Sequence, residues 1–167
     1  IPDAHGEEAI EEARRLGGEV GARDLAGRTD FRPLVTVTID GEHARDFDDA
    51  ITIERLVNGN YWLGVHIADV AHYVPEGGAL DEEAYERATS VYFPDRAVHM
   101  FPAELATGLC SLKPGVDRLV QSAVIEIDAA GEPARVVFHD GVIRSRARLT
   151  YAGVNAVLTG QGRPRDE

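Results

Sequence analysis

The chain has a single cysteine, which excludes an internal disulfide framework and makes a reducing, cytoplasmic setting the expectation. That residue, Cys110 in G-L-C-S-L, has no evident base beside it and reads as a small core residue rather than a nucleophile. Long apolar runs are missing too, none approaching the ~20 residues that cross a bilayer. The opening I-P-D-A-H-G-E-E lacks the basic and apolar regions of a secretory leader. Basic charge is scarce: 17 Lys and Arg stand against 29 Asp and Glu, a formal net charge of -12. Such a surface repels polyanions, so a nucleic-acid enzyme built on this chain would draw its basic surface from elsewhere. Internal repeats and long low-complexity segments are absent as well.

What is present reads as one globular domain. The 167 residues are 44% hydrophobic and 28% charged, enough for a real core. Residues 3–16 place Ala9, Ile10, Ala13 and Leu16 at helical spacing, with glutamates in front and Arg14 and Arg15 behind, as a helix dipole favours. Gly17-Gly18 ends that helix, and D-L-A-G-R-T-D-F-R-P-L forms a connecting loop. Strand-like runs follow at 35–39, 50–56 and 61–69, the last two joined by the turn signal Asn58-Gly59-Asn60. The 61–69 run alternates poorly and predicts a strand buried on both faces.

Leu80, Ala84 and Ala88 line one face of a helix over 79–90. V-Y-F-P-D-R-A-V-H-M-F-P is extended and loop-like, and Pro102 opens a short helix. Runs over 119–128 and 135–150 predict a β-hairpin, with Arg144, Arg146 and Arg148 sharing a face by period 2. Three arginines there suit phosphates, or simply water. A short helix starts at Tyr151, and a polar tail closes the chain at 160–167. The fold class is α+β, an antiparallel-rich mixed sheet with flanking helices.

The chemistry concentrates in V-T-V-T-I-D-G-E-H-A-R-D-F-D-D-A-I-T-I, residues 35–53. A β-branched run delivers Asp40 to a strand end, and a short loop brings Asp46, Asp48 and Asp49 before the next strand. Four ionised carboxylates about 5 Å apart would repel by roughly 3 kcal/mol per pair at an effective dielectric near 20, about 20 kcal/mol in all as an upper bound. A domain has only about 5–15 kcal/mol of net stability. The cluster must therefore protonate, splay into water or hold cations, and all-oxygen ligation favours a hard ion, Mg2+ or Mn2+. The plainer alternative is a polar turn with Asp chosen for turn chemistry. A calcium loop is excluded, because counting from Asp46 puts Ile51 and Val57 where that loop needs Gly and Glu. His66, Asp69 and His72 invite a second metal reading, but His66 and Asp69 point to opposite faces of an extended segment. Asp69 is a candidate supporting group for the carboxylates.

T-I-D-G-E-H-A-R-D-F-D-D-A resembles the signature of the RNase II/RNase R exoribonucleases, the RNase R branch most closely. H-I-A-D-V-A-H-Y-V, T-S-V-Y-F-P, L-A-T-G-L-C-S-L-K-P-G-V-D-R-L and A-R-L-T-Y follow in the same order. The resemblance implies a partial RNB-type catalytic domain: residues 1–33 as helical lead-in and loop, residues 34–167 as the N-terminal half. It implies Mg2+-dependent 3′-to-5′ hydrolysis of single-stranded RNA to nucleoside 5′-monophosphates, with Asp40, Asp46, Asp48 and Asp49 at a site for two ions (Mn2+ being possible). It makes Tyr92 a base-stacking residue, sets Tyr151 close to the reacting nucleotide, and singles out Arg148 for RNA. Phe93 and Phe101 are left to the core. It further implies a C-terminal remainder of the domain and flanking OB-fold RNA-binding domains as partners. Two rivals stand: a non-catalytic RNA-binding or regulatory fragment, and an acidic exonuclease of the Asp-x-Glu class, for which Asp40-Gly41-Glu42 meets the minimal pattern.

Overall fold

The computed structural model describes residues 2–162. In chain order the elements are α1 (Glu7–Arg15), β1 (Thr29–Asp30), β2 (Thr36–Asp40), β3 (Asp49–Arg55), β4 (Tyr61–Ala68), α2 (Val70–Tyr73) and α3 (Ala79–Arg87). Then come β5 (Val91–Tyr92), β6 (Ala97–Val98), a wide helical turn at Leu105–Leu109, β7 (Asp117–Ile127), β8 (Pro133–Arg144), β9 (Ala147–Thr150) and α4 (Tyr151–Leu158). The tail expected at 160–167 falls mostly outside the described residues. No helix among the described residues is long and apolar enough to cross a membrane.

The main sheet has the order β1-β8-β7-β4-β3-β2-β9. Its interior pairs are antiparallel, and β1–β8 and β2–β9 at the two edges are parallel. The antiparallel-rich mixed sheet expected from the sequence is what forms. Only Ser145 and Arg146 separate β8 from β9, a span of at most about 11 Å in extended chain. In a flat sheet the five intervening steps would put those strands roughly 24 Å apart. The sheet must therefore curl until its edges approach, and Arg146 N–H donates to the Thr36 carbonyl at 2.7 Å across the closure.

That closure overturns the arginine face. The strand predicted over 135–150 breaks at Ser145, which is buried, and its two halves lie on different parts of the sheet. Arg144 pairs with Asp117 at 2.8 Å, Arg146 sits in the link, and Arg148 lies on β9. β4 also departs from expectation. It is not buried on both faces, since Tyr61 and Ile67 are exposed while Gly64, His66 and Ala68 point inward and are buried. The alternation was invisible to hydropathy because the inward residues are small or polar.

The inward face carries a buried polar row across four strands. Thr36 and Thr52 hydroxyls meet at 2.7 Å, His66 Nε2 lies 3.2 Å from Thr52, and His66 Nδ1 lies 2.8 Å from Ser122. Burial pushes the His66 imidazole down to about 4, so it stays neutral at ordinary pH. With both ring nitrogens engaged, His66 is a structural residue and not a metal ligand. Helix α1 packs on α3, and Ala9 and Ala13 join the same buried cluster as Phe31, Leu80, Leu105 and Leu119. Residues of the lead-in thus share the core with the rest of the chain. Cys110 is buried there as well, its thiol pushed up to about 12 by burial.

Phe31 also explains a glycine. Its ring packs edge-on to His139 and tilted against His66, directly over Gly141. A Cβ at 141 would stand 2.8 Å from two ring carbons. Gly141→Ala should therefore destabilise the domain by about 1–3 kcal/mol through overpacking. Denaturant unfolding checks this, and a midpoint equal to the parent protein's would show that Phe31 can move aside freely.

Candidate active site

The acidic loop is built by alternation. Thr36, Thr38 and Asp40 share one face of β2, whereas Asp49 shares a face of β3 with Ile51 and Ile53. The two strands pair only at Thr36–Thr52 and Val37–Ile51. Beyond those pairs they part, and the loop fills the mouth. A turn at Gly41 (Ala44 N–H to Gly41 carbonyl, 3.1 Å) starts the loop. Phe47 then turns inward and is buried, which leaves Asp46 and Asp48 on either side projecting the other way. The D-x-D spacing is this one-in, two-out arrangement.

Several fasteners hold the loop. Ser111, itself buried, accepts from Phe47 N–H at 3.2 Å and donates to the Arg45 carbonyl at 2.8 Å. Leu112 N–H donates to the Phe47 carbonyl, and Ala68 N–H to the Asp48 carbonyl, both at 2.9 Å. Arg118, also buried, donates to the carbonyls of Ser111 (2.8 Å) and Gly108 (3.1 Å), which fixes the segment that Ser111 stands on. Arg148 donates to the carbonyls of Gly41 (2.7 Å) and Glu42 (2.5 Å), with its guanidinium 5.6 Å from the Phe47 ring centre. The structure thus gives Arg148 a loop-holding role beside any role toward RNA.

The carboxylates act on one another. Asp40 is held above the usual carboxylate range, first by burial and then by the charges of Asp49 and Asp46, against the Thr38 hydroxyl and Arg148. The Thr38 hydroxyl lies beside it but short of hydrogen-bonding geometry, and Asp40 Oδ2 is buried without a donor. Asp48 is raised as well, by burial first and then by Asp46, Asp49 and Asp40. Asp48 is exposed in the loop. Among the described residues no three His, Cys, Asp or Glu side chains gather into a finished metal cage. The donor set still fits a hard cation: it is all oxygen, mutually repelling, and includes one buried carboxylate oxygen with nothing donated to it. Glu42 of the Asp-x-Glu pattern is exposed in the turn, while the charges raising Asp40 come from Asp49 and Asp46.

Asp46 meets a second element. The β5–β6 hairpin closes at its tip by Phe93 N–H to the Arg96 carbonyl, 2.8 Å. Tyr92 on its first arm donates its hydroxyl to Asp46 Oδ2, and His99, just past the second arm, brings Nδ1 to 3.6 Å from the same oxygen. Between hairpin and loop lies a cleft of about 780 Å³. Tyr92 is 63% exposed there, and Phe93 is 47% exposed, not in the core as expected. Its place at the hairpin tip, under the Arg96 guanidinium at 5.0 Å, accounts for that. Phe101 packs against the core. A smaller cavity of about 280 Å³ adjoins, bordered by Asp46, Asp48, His99 and Cys110. Tyr151 is 65% exposed and opens α4 immediately after Thr150, which pairs with Asp40. Three of the sequence-predicted groups, the aspartates, Tyr92 and Tyr151, therefore meet at one end of the sheet.

Asp69 does not join them. Its carboxylate is buried against Arg28 at 2.6 Å and lies 3.5 Å from the Gln121 amide. Sequence reasoning missed Ser111 and Arg118, although both lie in the L-C-S-L-K-P-G-V-D-R-L block. It missed His99 because nothing in the local pattern marks it.

The acidic loop thus sits at the mouth of a curled mixed sheet, and comparison with known proteins gives the chain a family. Residues 28–167 match the RNB domain, and the chain belongs to that family. It is 52% identical to Ribonuclease R of Thermotoga maritima over 157 residues, 94% of this chain and 22% of that protein. Mycoplasma genitalium RNase R in complex with ribose-methylated single-stranded RNA superimposes with a TM-score of 0.92 at 30% identity, over 100% of this chain and 26% of that one. Yeast Ssd1, a pseudonuclease, shares the fold with a TM-score of 0.78 at 22% identity, over 86% of this chain and 18% of that one. The chain spans about a quarter of the length of the relatives it matches.

Proposed function

We propose that this chain carries the carboxylate half of the active site of a ribonuclease R-type enzyme, a Mg2+-dependent 3′-to-5′ exoribonuclease that hydrolyses single-stranded RNA to nucleoside 5′-monophosphates in the cytoplasm. The carrying observation is Asp40 Oδ2, buried without a donor in an all-oxygen cluster. In this reading Asp40, Asp46, Asp48 and Asp49 hold up to two Mg2+ or Mn2+ ions. When bound, such ions lower the pKa of an attacking water and stabilise the departing 3′ oxygen. The protein's share is geometric: Phe47, Ser111 and Arg148 hold the loop, and the exposed ring of Tyr92 offers a base-stacking surface. Tyr151 stands beside Asp40, where a terminal nucleotide would end. With a net charge of -12, RNA affinity must come from other parts of the protein. A C-terminal remainder of the domain and flanking OB-fold modules suit that need.

A pseudonuclease shares this fold, so the fold alone does not separate an enzyme from a non-catalytic RNA-binding module. The presence of all four aspartates, with Asp40 and Asp48 raised by burial and by their neighbours' charges, favours the enzyme. The test is a denaturing-gel ladder of 5′-labelled single-stranded RNA with Mg2+, comparing residues 1–167 with the full-length protein. Full-length protein should shorten the strand stepwise from its 3′ end, and residues 1–167 should barely act. Robust degradation by residues 1–167 would contradict the division of labour, and no degradation by the full-length protein would favour the non-catalytic module.

A further inference from the structure

Tyr92 has two ends, and the structure uses both. Its ring faces the cleft and is mostly exposed, while its hydroxyl is tied to Asp46 Oδ2. Among the described residues, Asp46 Oδ1 receives a long contact from Arg45 N–H, at 3.4 Å, so the Tyr92 hydroxyl engages one carboxylate oxygen and not the other. His99 reinforces the arrangement. It stands edge-on to the Tyr92 ring, centroids 6.3 Å apart, and its Nδ1 approaches the oxygen that Tyr92 holds. The hairpin that presents the ring is thus fastened to the loop that carries the carboxylates.

Resting on the metal-site reading above, we propose that Tyr92 is a positioning residue for Asp46 as well as a stacking platform. Its hydroxyl fixes the carboxylate rotamer that presents Oδ1 to a cation. In return Asp46 fixes the plane of the ring. Partners that orient a metal-binding carboxylate commonly contribute 10–100-fold in metal affinity, whereas a stacking ring contributes to holding a base. The two roles fall on different atoms of one side chain, so two substitutions separate them. Tyr92→Phe removes the hydroxyl and keeps the ring, and Tyr92→Ala removes both.

The experiment measures Mn2+ binding by electron paramagnetic resonance, and end-product length on 5′-labelled single-stranded RNA, in the full-length protein. Tyr92→Phe should weaken Mn2+ binding about 10–100-fold with the parental end-product length. Tyr92→Ala should show the same loss together with longer end products. Because Tyr92 is a surface residue, neither change removes core packing. Mn2+ binding by Tyr92→Phe equal to the parent's would overturn the inference. Asp48→Asn, measured alongside, tells the two failures apart. If it loses Mn2+ while Tyr92→Phe does not, only the positioning role falls. If neither variant nor Asp46→Asn alters Mn2+ binding, the metal-site reading falls and takes this inference with it.

Discussion

Asp48→Asn in the full-length protein is expected to abolish RNA hydrolysis while the protein still folds and binds RNA. Losing one ligating carboxylate removes several kcal/mol of charge stabilisation at the transition state, and about 4 kcal/mol is roughly a thousandfold in rate. With divalent cations removed, the same substitution should make the domain more resistant to heat at neutral pH. The sign follows from the electrostatics: Asp48 is held above its unfolded carboxylate range by partial burial and by Asp46, Asp49 and Asp40. A group with a raised folded pKa favours folding below its unfolded pKa, and that contribution is lost as pH rises through the folded value. Asparagine never ionises, so the stabilisation should be present at pH 8 and shrink toward pH 4. Melting curves at the two pH values check it. Parental activity, or a stabilisation that grows with acid, would remove Asp48 from the cluster.

The largest stability effect is expected away from the site, at Arg28→Ala. Arg28 and Asp69 meet at 2.6 Å with side chains only 9% and 4% exposed, and Arg28 also donates to the Asp24 carbonyl at 2.9 Å. Removing the guanidinium leaves a buried carboxylate uncompensated, which typically costs about 3–5 kcal/mol. That is a large part of the roughly 5–15 kcal/mol that holds a domain together. Replacing the pair together, as Arg28→Met with Asp69→Leu, should recover much of it, because a buried ion pair and an apolar pair are often close in stability. Urea unfolding midpoints measure both. A single-mutant loss below about 1 kcal/mol would mean the pair behaves as a surface bridge.

What the sequence made legible was the part governed by short-range rules. The aspartate loop follows from the β-branched run that delivers Asp40 to a strand end, and the hairpin at 58–60 follows from turn chemistry. The charge order of α1 follows from the helix dipole. Long-range closure was hidden. Nothing local marks Ser145 as a break, so β8 and β9 read as one strand, and three arginines now pointing to separate tasks seemed to share a face. β4 hid its alternation because its inward residues, Gly64, His66 and Ala68, are not hydrophobic enough to show it. Asp69 lies next to the sheet end that the other acids use, yet Arg28 claims it from over forty residues earlier in the chain, a pairing no spacing rule reveals. Phe93 was assigned to the core by residue type, whereas the hairpin tip exposes it beside Tyr92.

In the proposed function the carboxylates of this loop hold the ion that meets the scissile phosphate. Sulfur substitution at that phosphate tests it most directly, since Mg2+ ligates sulfur poorly and softer ions accept it better. Single-stranded RNA carrying one stereodefined phosphorothioate is digested by the full-length protein in Mg2+ and then in Mn2+. Degradation from the 3′ end should halt at the modified linkage in Mg2+ for one stereoisomer and resume when Mn2+ is added. Passage through both stereoisomers at the unmodified rate in Mg2+ would contradict it.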